Sequence, residues 1–393
     1  MEARRHPLLS PSLGTRRELT SLHFGTPGSG GKVYVQASLH ADELPGMLTA
    51  WHLRQRLAAL EAEGRLCGEV TLVPMANPVG LDQTLLGVQV GRFELGSGQN
   101  FNRYYPDLSD AVHDAVADRL GADAGANVRL VREALATALA RIAPQNELDS
   151  LRLTLMRLAA DADVVLDLHC DFNAGLHLYT LTPMWPDCEP LARYLGSCAQ
   201  LLATESGDSP IDEACSGFWL KLQTRVAART PATPLPLSCL AVTVELRGQD
   251  YVDHALAARD ADAIIAFLTH RGLVTGTPPP LPPLRHPATP LAGSEALLAP
   301  HPGVIAFHRA PGETVAAGEA VADIIDPLEG RVSTLTAPRA GMLYVRELRH
   351  LGRQDCDRRR LQNRQAAERM TAPGQGSGAG GHRRCDAQPD VPA

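Results

Sequence analysis

An α/β fold with a mixed sheet, followed by a small all-β module, is what the order of segments in this chain predicts. Three observations carry that reading. From Lys32 to about Gly276, short β-rich runs alternate with longer stretches of helical spacing. The strand-like runs are nearly free of polar residues, as expected of strands covered on both faces. The run TPPPLPPLRHPATP at 277–290 then excludes helix and sheet interior, and the sequence beyond it changes character.

Taken in order, residues 1–30 hold Arg4, Arg5, Arg16 and Arg17 but no continuous apolar stretch, so they read as an N-terminal segment and not a secretory signal. Residues 33–39 read as the first strand. Leu48, Trp51, Leu53, Leu57 and Leu60 recur at helical spacing as far as Gly64, and 70–75 form a second apolar run stopped by Asn77-Pro78. Helices are expected at 128–142 and 147–161, a buried strand at 164–168, and a helix around 189–204. A strand at 240–246 and a helix over 253–270, closed by Gly272, complete the pattern. The expected division is a domain over 31–276, a Pro-rich linker at 277–291 and a β module at 292–351. Pro-Gly pairs at 302–303 and 311–312, with Gly318, Gly330 and Gly341, punctuate that module. From 352 to 393 periodicity disappears into Arg, Gly and Gln, and a disordered tail is expected there.

Composition narrows function by exclusion. Of 393 residues 44% are hydrophobic, and 37 basic residues face 44 acidic ones, so no basic footprint for nucleic acid or an anionic membrane stands out. Nothing approaches the ~20 apolar residues a membrane helix requires. The 8 cysteines are scattered without a Cys-x-x-Cys pair, which reads as a reduced, cytoplasmic set. Only Lys32 and Lys221 are lysines, so reactive-lysine chemistry has two candidates.

Chemistry gathers at the ends of the apolar runs. His40 and Glu43 stand three apart in the turn after the first strand, where imidazole and carboxylate can face one ion of the Zn²⁺ type. His169 ends the second apolar strand, and Asp167, two residues earlier on the same face, can orient it. Residues 99–106, QNFNRYYP, bring amide and guanidinium donors together, and Arg suits bidentate recognition of a carboxylate. Glu245 ends the apolar run 242–246, where an unpaired carboxylate is costly unless it is paired or has a role.

His-x-x-Glu after a strand, Asn-x-Asn-Arg, Asp-Leu-His and Thr-Val-Glu, in this order, resemble the succinylglutamate desuccinylase/aspartoacylase family of zinc-carboxypeptidase-like hydrolases, over roughly residues 30–350. The resemblance implies a zinc-carboxypeptidase-like domain with one Zn²⁺ per chain. His40, Glu43 and His169 match its metal ligands, and Glu245 matches the general base. Asn102 and Arg103 match the pair that binds the substrate carboxylate, and Arg92 in Gly91-Arg92-Phe93 looks like the arginine that polarises the scissile carbonyl. One departure is the metal loop 38–43, SLHADE, where many relatives have glycine beside the histidine.

The reading that follows is a zinc amidohydrolase acting on an N-acyl amino acid or related small carboxylate, without nucleic-acid or membrane partners; a homo-oligomer is compatible with it. A metallocarboxypeptidase trimming peptides and a non-catalytic assembly protein on the same fold stay as alternatives. The remaining histidines at 52, 113, 254 and 270 read as surface residues, His177 as a weaker site candidate, Cys170 as a core thiol, and Tyr104, Tyr105 and Tyr251 as packing. The β module looks like a biotinyl/lipoyl-type barrel, with halves beginning near 299 and 337. A carrier arm is excluded because 222–393 hold no lysine. The tail reads as out of register with an ancestral closing strand, so that the barrel lacks its last strand.

Overall fold

The computed structural model describes residues 1–352 and 361–364, the latter by backbone alone. At its centre stand β1 (Glu2–Pro7), β2 (Glu18–Gly25), β3 (Lys32–Ala37), β4 (Glu69–Val73), β5 (Val164–Asp171), β6 (His177–Leu181), β7 (Ala199–Ala203), β8 (Leu240–Gly248) and β9 (Thr289–Pro290). They form one mixed nine-stranded sheet in the order β1-β2-β4-β3-β5-β8-β6-β7-β9. The adjacent strands β4, β3, β5 and β8 are parallel to one another. These are the runs with the fewest polar residues, because both faces are covered.

Alternation along the strands sorts side chains between two apolar layers. Val33, Val35, Leu166, Leu168, Val242 and Val244 pack against α1 (Pro45–Ala62), α5 (Trp185–Leu195) and α7 (His254–His270), through Leu53, Leu191 and Phe267 among others. Tyr34, Val165 and Ala241 face the other layer, built on α2 (Ser109–Val116), α3 (Ala124–Arg141), α4 (Glu147–Ala159) and α6 (Phe218–Arg229), with Leu135, Leu151 and Trp219 in contact. Each fully buried Leu or Phe of this kind contributes about 1.5–3 kcal/mol. Local signals start the helices where burial wants them. Pro45 opens α1, Asn146 caps α4 by accepting from the Asp149 N–H, and Asp253 caps α7 by accepting from the Leu256 N–H.

Three expectations are corrected. Residues 1–30, given no element, supply β1 and β2, which extend the sheet antiparallel to β4. The helix expected around 189–204 ends at Leu195, because Gly196 takes a left-handed φ of 65° as its cap, and 199–203 continue as strand β7. His52, expected on the surface, is buried beside His254.

After β9 come β10 (Ser294–Leu297), β11 (Gly303–Phe307), β12 (Thr314–Val315), β13 (Ala320–Asp326), β14 (Arg331–Thr336), β15 (Gly341–Arg346), β16 (Leu351–Gly352) and β17 (Leu361–Arg364). Their mutual pairings are all antiparallel, in two small sheets. Val345 and Arg346 of β15 also pair with Ala174 and Asn173, which ties these strands to the segment leaving β5. β17 lies between β10 and β15 where no strand was expected. Two open strand edges can capture a short stretch through backbone hydrogen bonds, whatever its side-chain pattern. The rest of the tail, 353–360 and 365–393, lies outside the described residues.

Candidate metal centre

The parallel register lines up the ends of three neighbouring strands. Ala37 stands opposite Leu168, and His169 opposite Glu245. Beyond β3 the chain turns at Ser38, whose φ of 55° is left-handed. A non-glycine residue there stores about 1–3 kcal/mol, and the Ser38 hydroxyl offsets part of it by donating to the Glu43 carbonyl at 2.7 Å. The turn continues with the Glu43 N–H donating to the His40 carbonyl at 3.1 Å and runs into α1. The start of α1 comes very close to β5: a Cβ on Gly46 would stand 2.7 Å from the Leu168 carbonyl oxygen. Glycine at 91 does the same for the neighbouring loop, where a Cβ would meet the Asp42 nitrogen at 2.3 Å, and this contact sets Arg92 over the metal loop.

His40, Glu43 and His169 are buried, with ligand atoms within 4.8 Å of one another. Nδ1 of His40 is 2.9 Å from Oε1 of Glu43, and Nδ1 of His169 is 2.7 Å from Oε2. The other ring nitrogens are held from behind. His40 Nε2 is 2.9 Å from Asn100 Oδ1, and His169 Nε2 is 2.7 Å from Asp167 Oδ2. Asp167 is itself fixed, since Gln36 Nε2 donates to its Oδ1 at 2.8 Å and the Tyr34 hydroxyl donates to Gln36 Oε1 at 2.7 Å. Support of this kind orients imidazoles towards a metal.

The electrostatics are those of a cation site. Burial opposes ionisation of Glu43, yet the imidazoles of His40 and His169 hold its carboxyl well below the usual range. Burial, with Arg92 alongside, lowers His40 to about 4. Burial also works against charging His169, but Asp167 and Glu43 hold it well above its ordinary value. Arg92 Nη1 donates to Glu43 Oε1 at 3.0 Å and lies 3.3 Å from His40 Nδ1, so a guanidinium already presents positive charge to the atoms a metal ion would take. Two imidazole nitrogens and a carboxylate, each supported from behind, suit a divalent ion of intermediate softness.

A cavity of about 320 Å³ opens beside the cluster. Of the sequence-derived candidates, His40, Arg92, Asn102, Arg103, His169 and Glu245 line it, and Glu43 is buried against His40 and His169. Glu245 Oε2 is buried without a hydrogen-bond partner, and burial together with Glu43 and Asp171 raises its carboxyl well above the ordinary range. Arg103 donates once to the Asn102 carbonyl and otherwise faces the cavity. Asn102 is engaged at both ends of its amide: Nδ2 is 3.2 Å from Asp167 Oδ2, and Oδ1 accepts from the Ile211 N–H at 3.0 Å.

Reading the sequence missed Tyr34 and Gln36, whose role depends on register, and Asp212. Asp212 stands at the start of a π-turn, Glu213–Gly217, and lines the cavity. Burial, with Asp167 and Glu213 close by, pushes its carboxyl up to about 6. Cys170 is buried as expected but also contributes to the cavity wall, and its N–H donates to Glu43 Oε2 at 3.2 Å. His177 is fully buried, with Nδ1 2.8 Å from the Gly175 carbonyl. Tyr105 is buried in the apolar layer that holds Tyr34, whereas Tyr104 and Tyr251 are exposed.

The profile of the succinylglutamate desuccinylase/aspartoacylase catalytic domain matches residues 29–271. A solved succinylglutamate desuccinylase/aspartoacylase family protein from Shewanella amazonensis is similar at 26% identity and a TM-score of 0.78, over 90% of this chain and 96% of that one. One from Shewanella frigidimarina is 24% identical, with a TM-score of 0.80 over 92% and 96% of the two chains. The product-bound ectoine utilization protein EutE (DoeB) from Ruegeria pomeroyi shares the fold at 15% identity and a TM-score of 0.63, over 89% and 92%. No curated protein matches the sequence. No helix among the described residues is long and apolar enough to cross a membrane.

Proposed function

Because the chain belongs to the succinylglutamate desuccinylase/aspartoacylase family, we propose that it is a zinc-dependent amidohydrolase that cleaves the amide bond of an N-acyl amino acid or related small carboxylate. The observation that carries this reading is the convergence of His40, Glu43 and His169 beside a carboxylate, Glu245, with an unpartnered buried oxygen. His40 and His169 through Nδ1, with the Glu43 carboxylate, would hold one Zn²⁺ per chain. When bound, the ion supplies Lewis acidity and lowers the pKa of water.

The chain's own residues supply the rest. Glu245 Oε2, which has no other hydrogen-bond partner among the described residues, accepts a proton from the attacking water and returns it to the leaving amine. The Arg92 guanidinium neutralises charge developing on the carbonyl oxygen. Arg103 offers its remaining donors to the substrate carboxylate, which fixes the amide over the metal corner. Asn102 was matched to the same task, but its amide is engaged with Asp167 and Ile211, so its contribution runs through the placement of His169 and Arg103.

The cavity of about 320 Å³ suits one acylated amino acid better than a peptide chain, which favours this reading over a carboxypeptidase. An assembly protein without activity would have no use for an unpartnered buried carboxylate beside a supported ligand set. We assign the hydrolase to 31–276, and to the β strands of 292–351 a structural part through their attachment at Asn173 and Ala174. The free cysteines among the described residues support a reducing, cytoplasmic setting. The test is hydrolysis of a panel of N-acetyl and N-succinyl amino acids beside short peptides, with and without zinc. Zinc-dependent turnover of at least one acyl amino acid, faster than any peptide, is expected. Preference for peptides, or no zinc-dependent turnover of any acyl amino acid, would overturn the assignment.

A further inference from the structure

We propose that a second cavity, lined by arginines and separate from the metal corner, binds a small organic anion carrying two negative charges. This cavity, of about 620 Å³, lies where the end of α5, the end of β8, the Pro-rich segment at 282–286 and the turn at 311–312 meet. Four arginines, Arg193, Arg247, Arg259 and Arg285, line it together with Tyr251 and His286, and no Asp or Glu does. The chain as a whole carries a net charge of -7, so a concavity with this charge runs against the general balance.

The four arginines divide into two kinds. Arg193 donates to Glu189 at 3.1 Å and to the Pro282 carbonyl, and it clamps the Pro-rich segment against α5. Arg247 makes a bidentate pair with Asp260 at 2.7 and 2.9 Å. Both are neutralised and hold the walls. Arg259 and Arg285 have no hydrogen bond or ion pair among the described residues and are exposed at the cavity. Two unpaired guanidiniums presented to one space match two charges on a ligand, since each offers planar paired donors to a carboxylate or phosphate. Tyr251 and Pro282 give the same space apolar surface for the ligand's body.

The bland alternative is that arginine-rich composition scattered charged side chains there by chance. The backbone of β8 argues against it. Glu245 and Arg247 are two apart and would share a face in a regular strand. The register is irregular between Glu245 and Gly248, and Arg247 has a left-handed φ of 68°. That break lets Glu245 line the metal-side cavity while Arg247 lines the other one. Strain of about 1–3 kcal/mol at a non-glycine residue persists where a function is built on it. The two cavities share no lining residue.

The experiment is calorimetric titration of the zinc-loaded, full-length protein with succinate and, separately, with inorganic phosphate. Saturable binding of at least one probe is expected. The double variant Arg259→Ala/Arg285→Ala should weaken it at least tenfold without changing the melting temperature or the kcat and KM of hydrolysis. Arg103→Ala, which disturbs the metal-side cavity, should leave it unchanged. Saturation by phosphate alone assigns a phosphorylated ligand, and by succinate alone a dicarboxylate; either supports the proposal. No saturable binding of either probe up to ~10 mM, or weakening by Arg103→Ala and not by the double variant, would overturn it. The titration reads binding directly, so its outcome is independent of whether the metal corner hydrolyses acyl amino acids.

Discussion

The two cavities on either side of β8 are built on opposite plans. At the metal corner nearly every polar atom is spoken for by another: Tyr34 fixes Gln36, Gln36 fixes Asp167, Asp167 fixes His169, and His169 meets Glu43. Among the described residues the exceptions are an oxygen of Glu245, an oxygen of Asp42 in the metal loop, and the donors of Arg103 that face the cavity. At the arginine cavity two side chains are locked into the wall and two stand loose in solvent. A closed network in low dielectric holds its geometry without reorganising, which reaction chemistry requires. Loose charged groups on a fixed wall cost little when the cavity is empty and gain partners when an anion enters, which suits recognition. The strand between them serves both, because its regular part ends at Glu245 and its strained part begins after it.

The largest effect should come from the uncommitted oxygen of Glu245 at the metal corner. Glu245→Gln keeps the shape and removes the base, so turnover should fall about 10²–10⁴-fold, while zinc content measured by mass spectrometry stays at the wild-type level. Turnover within tenfold of wild type would mean that the unpartnered oxygen is incidental, and the contrast between the two cavities would lose its catalytic half.

Next in size is the lock of the second cavity. Arg247 and Asp260 are 11% and 3% exposed, so removing one partner strands a buried charge. Asp260→Ala should destabilise the protein by about 3–5 kcal/mol, visible as a lower denaturant midpoint with the slope unchanged. A midpoint equal to wild type would place Arg247 with the loose arginines and erase the division between wall and ligand groups.

How far each cavity could be read from sequence follows from the same difference. His40, Glu43, His169 and Glu245 are polar residues at the ends of apolar strands, and that contrast is local, so it survives without a structure. Tyr34 and Gln36 sit inside a strand, and their part depends on Gln36 lying opposite Asp167, a register that no local pattern reports. The arginines of the second cavity are scattered from 193 to 285 in a chain already rich in arginine, and only the fold gathers them. The fold shows the same limit. The continuous run 164–168 was plain, but 199–203 is a short apolar stretch that either state could use, and Gly196 decided for strand. Helix α6 and strand β6 lie in stretches where no period was recognised. Ser38 is a mixed case: its place in the turn after the first strand is legible, and its left-handed φ with a compensating hydroxyl bond is not.

The smallest effect concerns a carboxylate with a partly conflicted place at the metal corner. Asp212 accepts from the Glu213 N–H at 3.0 Å and bonds to Thr243, yet burial and the nearby Asp167 and Glu213 leave its carboxyl at about 6 in place of the ordinary 3.8. The folded protein therefore holds this proton more tightly than the unfolded chain does. Stability falls as pH rises between roughly 4 and 6, and above that range the whole deficit, at most about 3 kcal/mol, is present. Asp212→Asn keeps an acceptor oxygen for the Glu213 N–H, can still bond Thr243 and carries no charge. Its melting temperature should match wild type near pH 4 and exceed it increasingly up to pH 7. A variant less stable than wild type at pH 7 would mean that the ionised carboxylate is satisfied where it stands. Asp212 would then join the closed network, apart from the acids Glu245 and Asp42, each of which keeps an unpartnered buried oxygen.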